Sequence, residues 1–589
     1  MRSNARGQRV VLSNREIADI FDVVGDILQI KGEIIHRILA YRNAADSIRE
    51  LPRDLRAYAA DGELDSIPGV GKIIAEKIQE MLDTGKLDFY EKLATEVPPG
   101  VVDILHINGV GPKKAKMFWQ DAGLVTVEML ETAAREGKIR DMAGMGTKSE
   151  AKILEGIESY KRRKSDTRTP LGVALPAAEH ILNHLLELPE ALFGSVAGSI
   201  RRARPTIGDV DLLVASSTPI PIMERFTTMS EVARVLGHGD KKSSVELLNG
   251  LQVDLRVIPP ERWGTALNYF TGSQAHNIRM RTLALEGGLS LNEHAFTRTD
   301  DNTEILCATE EQVYAQLSLQ YIPPEIREDW GEVETAAQSK LPKLIELSDI
   351  RSDLHMHTLW SDGTATIRDM AQAARARGRD FIVITDHSRG ATIANGLSIE
   401  RLLAQREEIR TADAEMQPFR VFHGTEMEIK ADGELDFPDE ILVELDFVVA
   451  SLHVSLRQPR EQITARLLNA IRNPHVDLIG HPRGQLIPDR EPADLDMDAV
   501  FDAARQSGIA LEINSSPSRL DLEAQYARRA IELGIPICID TDAHAIEELD
   551  QMRYGVLTAR RGWAQAANII NTWSLAQFEA WVRPRGGHA

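Results

Sequence analysis

Two sets of side chains in this 589-residue sequence have the types and spacing to hold divalent metal ions. The first is a carboxylate trio. Gly208-Asp209-Val210-Asp211-Leu212-Leu213-Val214 ends in an apolar run that reads as a strand, and residues two apart in a strand share a face, so Asp209 and Asp211 are expected side by side. Leu251 to Val257 alternates apolar with polar residues, which predicts a second strand with Asp254 on its polar face. Any one of these aspartates would more often be a turn or edge residue than a ligand; the joint pattern is what points to metal. Carboxylates this close repel one another unless a cation lies between them. Two ions roughly 3.5–4 Å apart, held by such a cluster, stabilise the attacking and leaving oxygens of an in-line phosphoryl transfer.

The second set is longer. His355, His357, Asp362, His387, Glu426, His453, His481, Asp542 and His544 occur in order, most of them just after apolar runs. A lone His at a strand end is usually a hydrogen-bonded structural residue, an explanation that does not stretch to the whole series. Mixed imidazole and carboxylate donors suit Zn²⁺, Mn²⁺ or Fe²⁺ better than an ion that takes oxygen alone. The set is large enough for up to three ions with shared carboxylates.

The elements that must position these residues are legible too. Phe381-Ile384, Phe447-Ala450, Ile509-Ile513 and Ile535-Ile539 are apolar strands separated by Ala-rich helical stretches, the pattern of a parallel α/β barrel whose strand C-termini carry the chemistry. Near the other end of the chain a glycine turn recurs. It appears at Ile67-Pro68-Gly69-Val70-Gly71-Lys72, at Ile107-Asn108-Gly109-Val110-Gly111-Pro112-Lys113 and, more loosely, at Met142-Ala143-Gly144-Met145-Gly146-Thr147-Lys148. The spacing of about 35 to 40 residues leaves room for several short helices per unit. Each turn runs into a helix whose free N–H groups and positive dipole end suit an anion. Gly69, Gly71, Lys72, Gly109, Gly111 and Lys113 are therefore expected to hold DNA phosphates without reading bases.

Composition argues partly the other way. A net charge of −21 is unusual for a chain that grips a polyanion, although metal-holding carboxylates count toward it. Basic residues are concentrated locally, at Lys161 to Lys164 and at Arg201, Arg202 and Arg204. Only two cysteines, Cys307 and Cys538, are present, in no metal-ligand spacing, which excludes a disulfide framework or a zinc finger. No apolar run suits a signal peptide or a membrane span, so a cytoplasmic protein without a membrane partner is expected.

The glycine turns resemble helix-hairpin-helix motifs. The first unit also resembles the small N-terminal domain of DNA polymerase beta, through His36 to Tyr41 and Gly69 to Lys77. That likeness makes Lys77 either a Schiff-base nucleophile toward the sugar of an abasic site or a phosphate contact, with Ile73 replacing a second phosphate-gripping lysine. Gly198-Ser199-Ile200-Arg201-Arg202, the aspartate motif, Tyr269-Phe270-Thr271-Gly272-Ser273 and Asn277-Ile278-Arg279-Met280-Arg281 resemble the palm and pocket of family X DNA polymerases. The resemblance implies that Asp209, Asp211 and Asp254 bind Mg²⁺ or Mn²⁺, with Asp254 helping to activate the primer 3′-hydroxyl. It further implies that Arg168, Gly198, Ser199 and Arg202 hold the triphosphate, that Tyr269, Phe270 and Gly272 line the sugar pocket, and that Asn277 and Arg281 face the new base pair. Gln274 departs from an acidic residue that touches the base, and Gln252 from an arginine beside the third carboxylate.

From about residue 350 to 575 the order of ligands resembles the polymerase and histidinol phosphatase (PHP) superfamily, with Mn²⁺ or Zn²⁺ implied at the nine-residue set. The implied plan is multidomain. An α-helical DNA-binding, lyase-like domain (1–92) and a helix-hairpin-helix subdomain (93–165) precede an α+β nucleotidyltransferase palm (166–260) and a nucleotide-selecting thumb (261–320). A proline-containing linker (321–349), a distorted α/β PHP barrel (350–575) and a tail (576–589) follow. The implied function is a monomeric repair enzyme that fills short gaps in primer-template DNA with deoxynucleoside triphosphates, trims 3′ ends as a 3′–5′ exonuclease and processes abasic sites. Its rivals are a PHP domain acting as a small-molecule phosphatase or pyrophosphatase, and a non-catalytic DNA-binding scaffold.

Overall fold

The computed structural model describes residues 12, 14–49, 51, 55–67, 69–107, 109–165 and 168–582. They form two compact units that divide between Thr167 and Arg168.

The first unit is helical. In the helix Asn14–Lys31, Ile17, Phe21, Val24 and Leu28 recur at helical spacing and are buried against the helix Ile35–Arg49 and against Ile74, Ile78 and Met81 of the helix Lys72–Thr84. A separate core gathers Ile104, Ile107, Phe118, Leu130, Ile153 and Ile157. The three glycine turns share one backbone plan. Gly69, Gly109 and Gly144 take φ of +76°, +88° and +74°, where a side chain would be strained, and the helices Lys72–Thr84, Pro112–Ala122 and Thr147–Ser165 begin three residues further on. Gly71 and Gly111 cap the first two helices without a side-chain acceptor, and open space lies where a Cβ would stand. The side chains of Lys161 to Lys164 lie outside the described residues.

The second unit holds two sheets that matter to the chemistry. A five-stranded sheet runs in the order Phe193–Val196, Val210–Ala215, Gln252–Ile258, Lys242–Leu247, Val232–His238. Val253, Leu255 and Val257 bury one face with Leu212 and Val214. The central strands Val210–Ala215 and Gln252–Ile258 are parallel and bring Asp211 opposite Asp254. Beside the sheet, the helices Trp263–Thr271, Gln274–Glu286 and Glu310–Gln316 lead into a thumb whose core holds Met280, Phe296, Cys307 and Tyr314.

The other sheet has seven parallel strands in sequence order: Ser352–Asp353, Phe381–Ile384, Arg420–Glu428, Phe447–Ser451, Leu478–Ile479, Ala510–Asn514 and Ile537–Asp540. A parallel bridge between Met356 and Ala543 joins the last strand region to the first, closing the ring into a barrel.

Two segments differ from expectation. Residues 321–349 are no linker: Ile322, Ile326, Arg327, Glu332, Val333 and Ile345 are buried, and the thumb core continues through Leu344. Key charges that suggested a linker are taken up by tertiary pairing, with Arg327 donating to Glu310 at 2.5 Å and to the Ile322 carbonyl at 2.9 Å. The segment from 576 is likewise no free tail as far as Val582, because the helix Leu575–Val582 places Phe578 in contact with Phe381, Phe422 and Phe447 inside the barrel core. Residues 583–589 lie outside the described residues.

The palm, thumb and barrel share cores. Leu520 and Tyr554 of the barrel region sit in the palm's apolar cluster, and Trp563 packs on the thumb's. At the start of the palm helix Leu171–Leu186, a Cβ on Gly172 would lie 2.4 Å from the Pro517 ring, so the two surfaces meet without room for a methyl group.

Candidate metal centres

The polymerase-type site is built where the two parallel strands place carboxylates in register. Asp211 and Asp254 face each other across the pair. Asp209 stands in the bend just before the strand rather than within it, since pairing begins at Val210. Burial, then the charges of Asp209 and Asp254, push the Asp211 carboxyl up to about 7. That is the electrostatic signature of a site short of positive charge. Asp254 is held below the usual carboxylate range despite its burial, because Lys242 Nζ lies 2.7 Å away and Gln252 Nε2 3.1 Å away. Gly198 takes φ +61° and passes so near Asp211 that a Cβ would fall 2.4 Å from Oδ2. The turn therefore needs glycine, and it starts the short helix Gly198–Arg201, in which Ser199 follows directly.

Arg168 donates to the Thr206 hydroxyl at 3.0 Å and carbonyl at 2.8 Å, and feels the Asp209 charge. Arg202 donates to Glu328 at 3.2 Å and to the carbonyl of Thr271, next to Gly272. Tyr269, Asn277 and Arg281 line one cleft with Thr265, Asn268, Leu291 and Asn292. Phe270 is outside that lining: it lies edge-on to Tyr269 and 4.2 Å beneath the Arg256 guanidinium. Arg201, Arg202 and Arg204, read as a local basic patch, each face a carboxylate: Arg201 forks onto Glu310 at 2.9 and 2.7 Å, and the other two share the single charge of Glu328.

In the first unit, Lys77 lies 4.2 Å over the Phe89 ring, and Arg37 approaches the same ring at 5.6 Å. Burial lowers the Lys77 pKa, and Arg37 adds to the effect against Glu80 and Glu76. Lys72 and Lys113 are exposed in the first turns of their helices, while Ile73 projects into solvent, 69% exposed, where it grips nothing.

At the C-terminal rim of the barrel all nine expected residues converge. Three overlapping groups are close enough to share an ion each: His357, Asp362, His387 and His544; His355, His357 and Asp542; and His387, Glu426 and His453. Glu426 is the hub. His481 Nε2 lies 2.9 Å, His453 Nε2 3.3 Å and His355 Nε2 3.5 Å from its Oε1, and His387 Nδ1 lies 2.7 Å from its Oε2. His387 Nδ1 and Glu426 Oε2, for all their closeness, are not aligned for a hydrogen bond, and both are buried without a partner, as is His355 Nε2. Inward-facing imidazole and carboxylate atoms left this way fit divalent cations.

Outer partners orient the rings. Glu512 accepts from His355 Nδ1 at 2.7 Å, and Glu428 from His453 Nδ1 at 2.7 Å. Burial works against charge on His453 and His357 alike, yet Glu426 and Glu428 hold His453 up to about 10, while burial and the neighbouring rings of His387 and His544 keep His357 down at about 3. Glu512, Glu428, Asn514 and Arg519, the last two on Asp542 Oδ2 at 3.0 and 3.4 Å, were not singled out in the sequence. Glu512 carried a signal, as a charged residue inside an apolar strand.

Comparison with known proteins follows the same division. Residues 12–87 match a helix-hairpin-helix domain model, 101–159 a SAM-like helix-hairpin-helix tandem, 266–328 the DNA polymerase beta thumb and 353–516 the PHP domain. The DNA polymerase/3′-5′ exonuclease PolX of Bacillus subtilis (strain 168) is 38% identical over 574 residues, 97% of this chain and 100% of the relative. A probable phosphatase of Caldanaerobacter subterraneus is 34% identical over 33% of this chain and 75% of its own length. Another, of Thermoanaerobacter sp. (strain X514), is 30% identical over 37% of this chain and 89% of its own. The Bacillus likeness runs through the helical repeats, the aspartate sheet, the thumb and the barrel alike, and the chain belongs to the family X DNA polymerases that carry a PHP domain.

Proposed function

We propose that this protein adds deoxynucleotides to primer 3′ ends in gapped DNA and removes 3′-terminal nucleotides at its PHP centre, as a repair enzyme of the cytoplasm acting as a monomer. The observation that carries the polymerase half is the in-register Asp211 and Asp254 pair, with Asp209 and the Gly198 turn beside it. Divalent ions, when bound, would offset phosphate charge at both centres, Mg²⁺ or Mn²⁺ at the aspartates and Mn²⁺ or Zn²⁺ at the barrel. The chain's own residues do the rest. Ser199, Arg168 and Arg202 bind the triphosphate, Arg by its planar fork. Tyr269, with Phe270 behind it, crowds the sugar, and Asn277 and Arg281 meet the new base pair. Asp254 helps to activate the primer 3′-hydroxyl. Gly71 and Gly111 present free helix N-termini to DNA phosphates, and Lys77 is the amine placed to attack an abasic sugar.

At the barrel, Glu512 and Glu428 keep His355 and His453 turned inward, and Arg519, 3.4 Å from Asp542, supplies positive charge suited to a phosphodiester. The two phosphatase relatives favour a second reading of this centre, hydrolysis of small phosphomonoesters. One assay separates the readings: a labelled gapped duplex with deoxynucleotides, in Mg²⁺ and in Mn²⁺, run beside a nucleoside monophosphate. Extension together with 3′ shortening supports the proposal; monoester hydrolysis with an intact primer replaces its second half.

A further inference from the structure

The helix Met552–Arg561 packs against the barrel strand Ile537–Asp540, yet its last residue reaches the polymerase pocket. The Arg561 side chain is 3% exposed. Its Nη1 donates to Glu328 Oε1 at 2.9 Å and to the backbone carbonyl of Arg202 at 2.6 Å. Glu328 accepts in turn from Arg202 Nε at 3.2 Å and lies 3.7 Å from Arg204 Nη1. The other end of the Arg202 fork is tied, through Nη1, to the carbonyl of Thr271. Arg561 therefore fixes Arg202 twice, once through its backbone and once through the carboxylate that its side chain grips.

Three guanidinium groups surround one carboxylate, so the cluster keeps surplus positive charge next to the Gly198 turn. Burial raises the Glu328 pKa, but Arg561, Arg202 and Arg204 outweigh it and hold the group at about 2, ionised throughout the working range. A guanidinium held in one orientation loses less freedom when it binds a phosphate than one that samples many rotamers.

We propose that Arg561 is a positioning residue of the polymerase: through Glu328 and the Arg202 carbonyl, the PHP barrel holds Arg202 oriented for the triphosphate of the incoming nucleotide. The proposal rests on the nucleotide-adding reading above. It makes the barrel part of the nucleotide pocket as well as a second active site.

The test uses the full chain with Arg561→Ala, Arg561→Lys and Glu328→Gln. Single-nucleotide insertion into a gapped duplex is followed across dTTP concentrations, with 3′-terminal hydrolysis in Mn²⁺ and thermal melting as controls on the fold. Arg561→Ala is expected to raise KM for dTTP by about tenfold while kcat changes by less than about threefold, the split that marks lost ground-state binding. Glu328→Gln should do the same. Arg561→Lys, able to reach one of the two acceptors, should fall between, and 3′ hydrolysis should stay within about twofold of wild type, because Arg561 touches no barrel ligand. If Arg561→Ala does not fold, the Lys and Gln variants decide. Unchanged KM in folded variants overturns the proposal, and so does a lowered KM, which would make Glu328 a competitor of the triphosphate. Absence of insertion by the wild type, in either metal, instead removes the polymerase reading underneath.

Discussion

Asp211 carries a cost that shows in the protein's own stability. An unfolded aspartate ionises near 3.8 and the folded Asp211 near 7, so between those values the folded state alone keeps the proton. Stability therefore falls as pH rises from about 4 to 7 and stays low above it, unless a cation neutralises the site. Asp211→Asn, measured in chelator at pH 8, is expected to be more stable than wild type by on the order of 4 kcal/mol, with the gap closing toward pH 4. A melt that shows no gap at pH 8 would mean the three carboxylates do not crowd one another in solution. The catalytic counterpart is harsher. Asp211→Ala should lose primer extension by about a thousandfold or more while gapped DNA still binds, because the glycine turns are untouched. Extension at the wild-type rate would place the chemistry elsewhere.

The glycine turns and the barrel strands were readable because each obeys a local rule: a turn that demands positive φ, and a run of apolar residues between helices. The segment 321–349 and the helix Leu575–Val582 obey no such rule. Glu325, Arg327 and Glu332 look like solvent-facing charges until their partners Arg560, Glu310 and His276 arrive from elsewhere in the chain. Nothing in the sequence says that Phe578, between Trp573 and Trp581, will meet Phe381, Phe422 and Phe447 in the barrel core. Phe578→Ala should therefore cost about 3–5 kcal/mol, read by denaturant unfolding, where a true tail residue would cost nothing. The turns make their own prediction. With backbone N–H groups and exposed lysines as the grip, affinity for gapped duplex should fall steeply with salt and hardly vary with sequence. A strong preference for one duplex sequence in a binding titration would contradict the hairpin reading.

At the scale of the molecule, the nine residues gathered at the barrel rim were readable by type and order, whereas the contact that joins barrel to palm was not, because it runs through Glu328 and Arg561, each an ordinary charge in its own segment. Removing two imidazoles from one rim, by His355→Ala with His357→Ala, should abolish Mn²⁺-dependent 3′ shortening and lower bound metal by mass spectrometry. Extension should survive, since neither residue lies on the path from Arg561 to Arg202; its loss in a folded variant would extend the coupling to the metals themselves. Leu520 and Tyr554 sit in the palm's apolar cluster, and Gly172 meets Pro517 with no gap to spare. A gene truncated before the barrel would thus encode a palm missing pieces of its own interior, with freshly bared hydrocarbon where Leu520 had been. Descendants of this protein can lose barrel chemistry by changing single histidines, but they cannot shed the barrel itself without first rebuilding that wall.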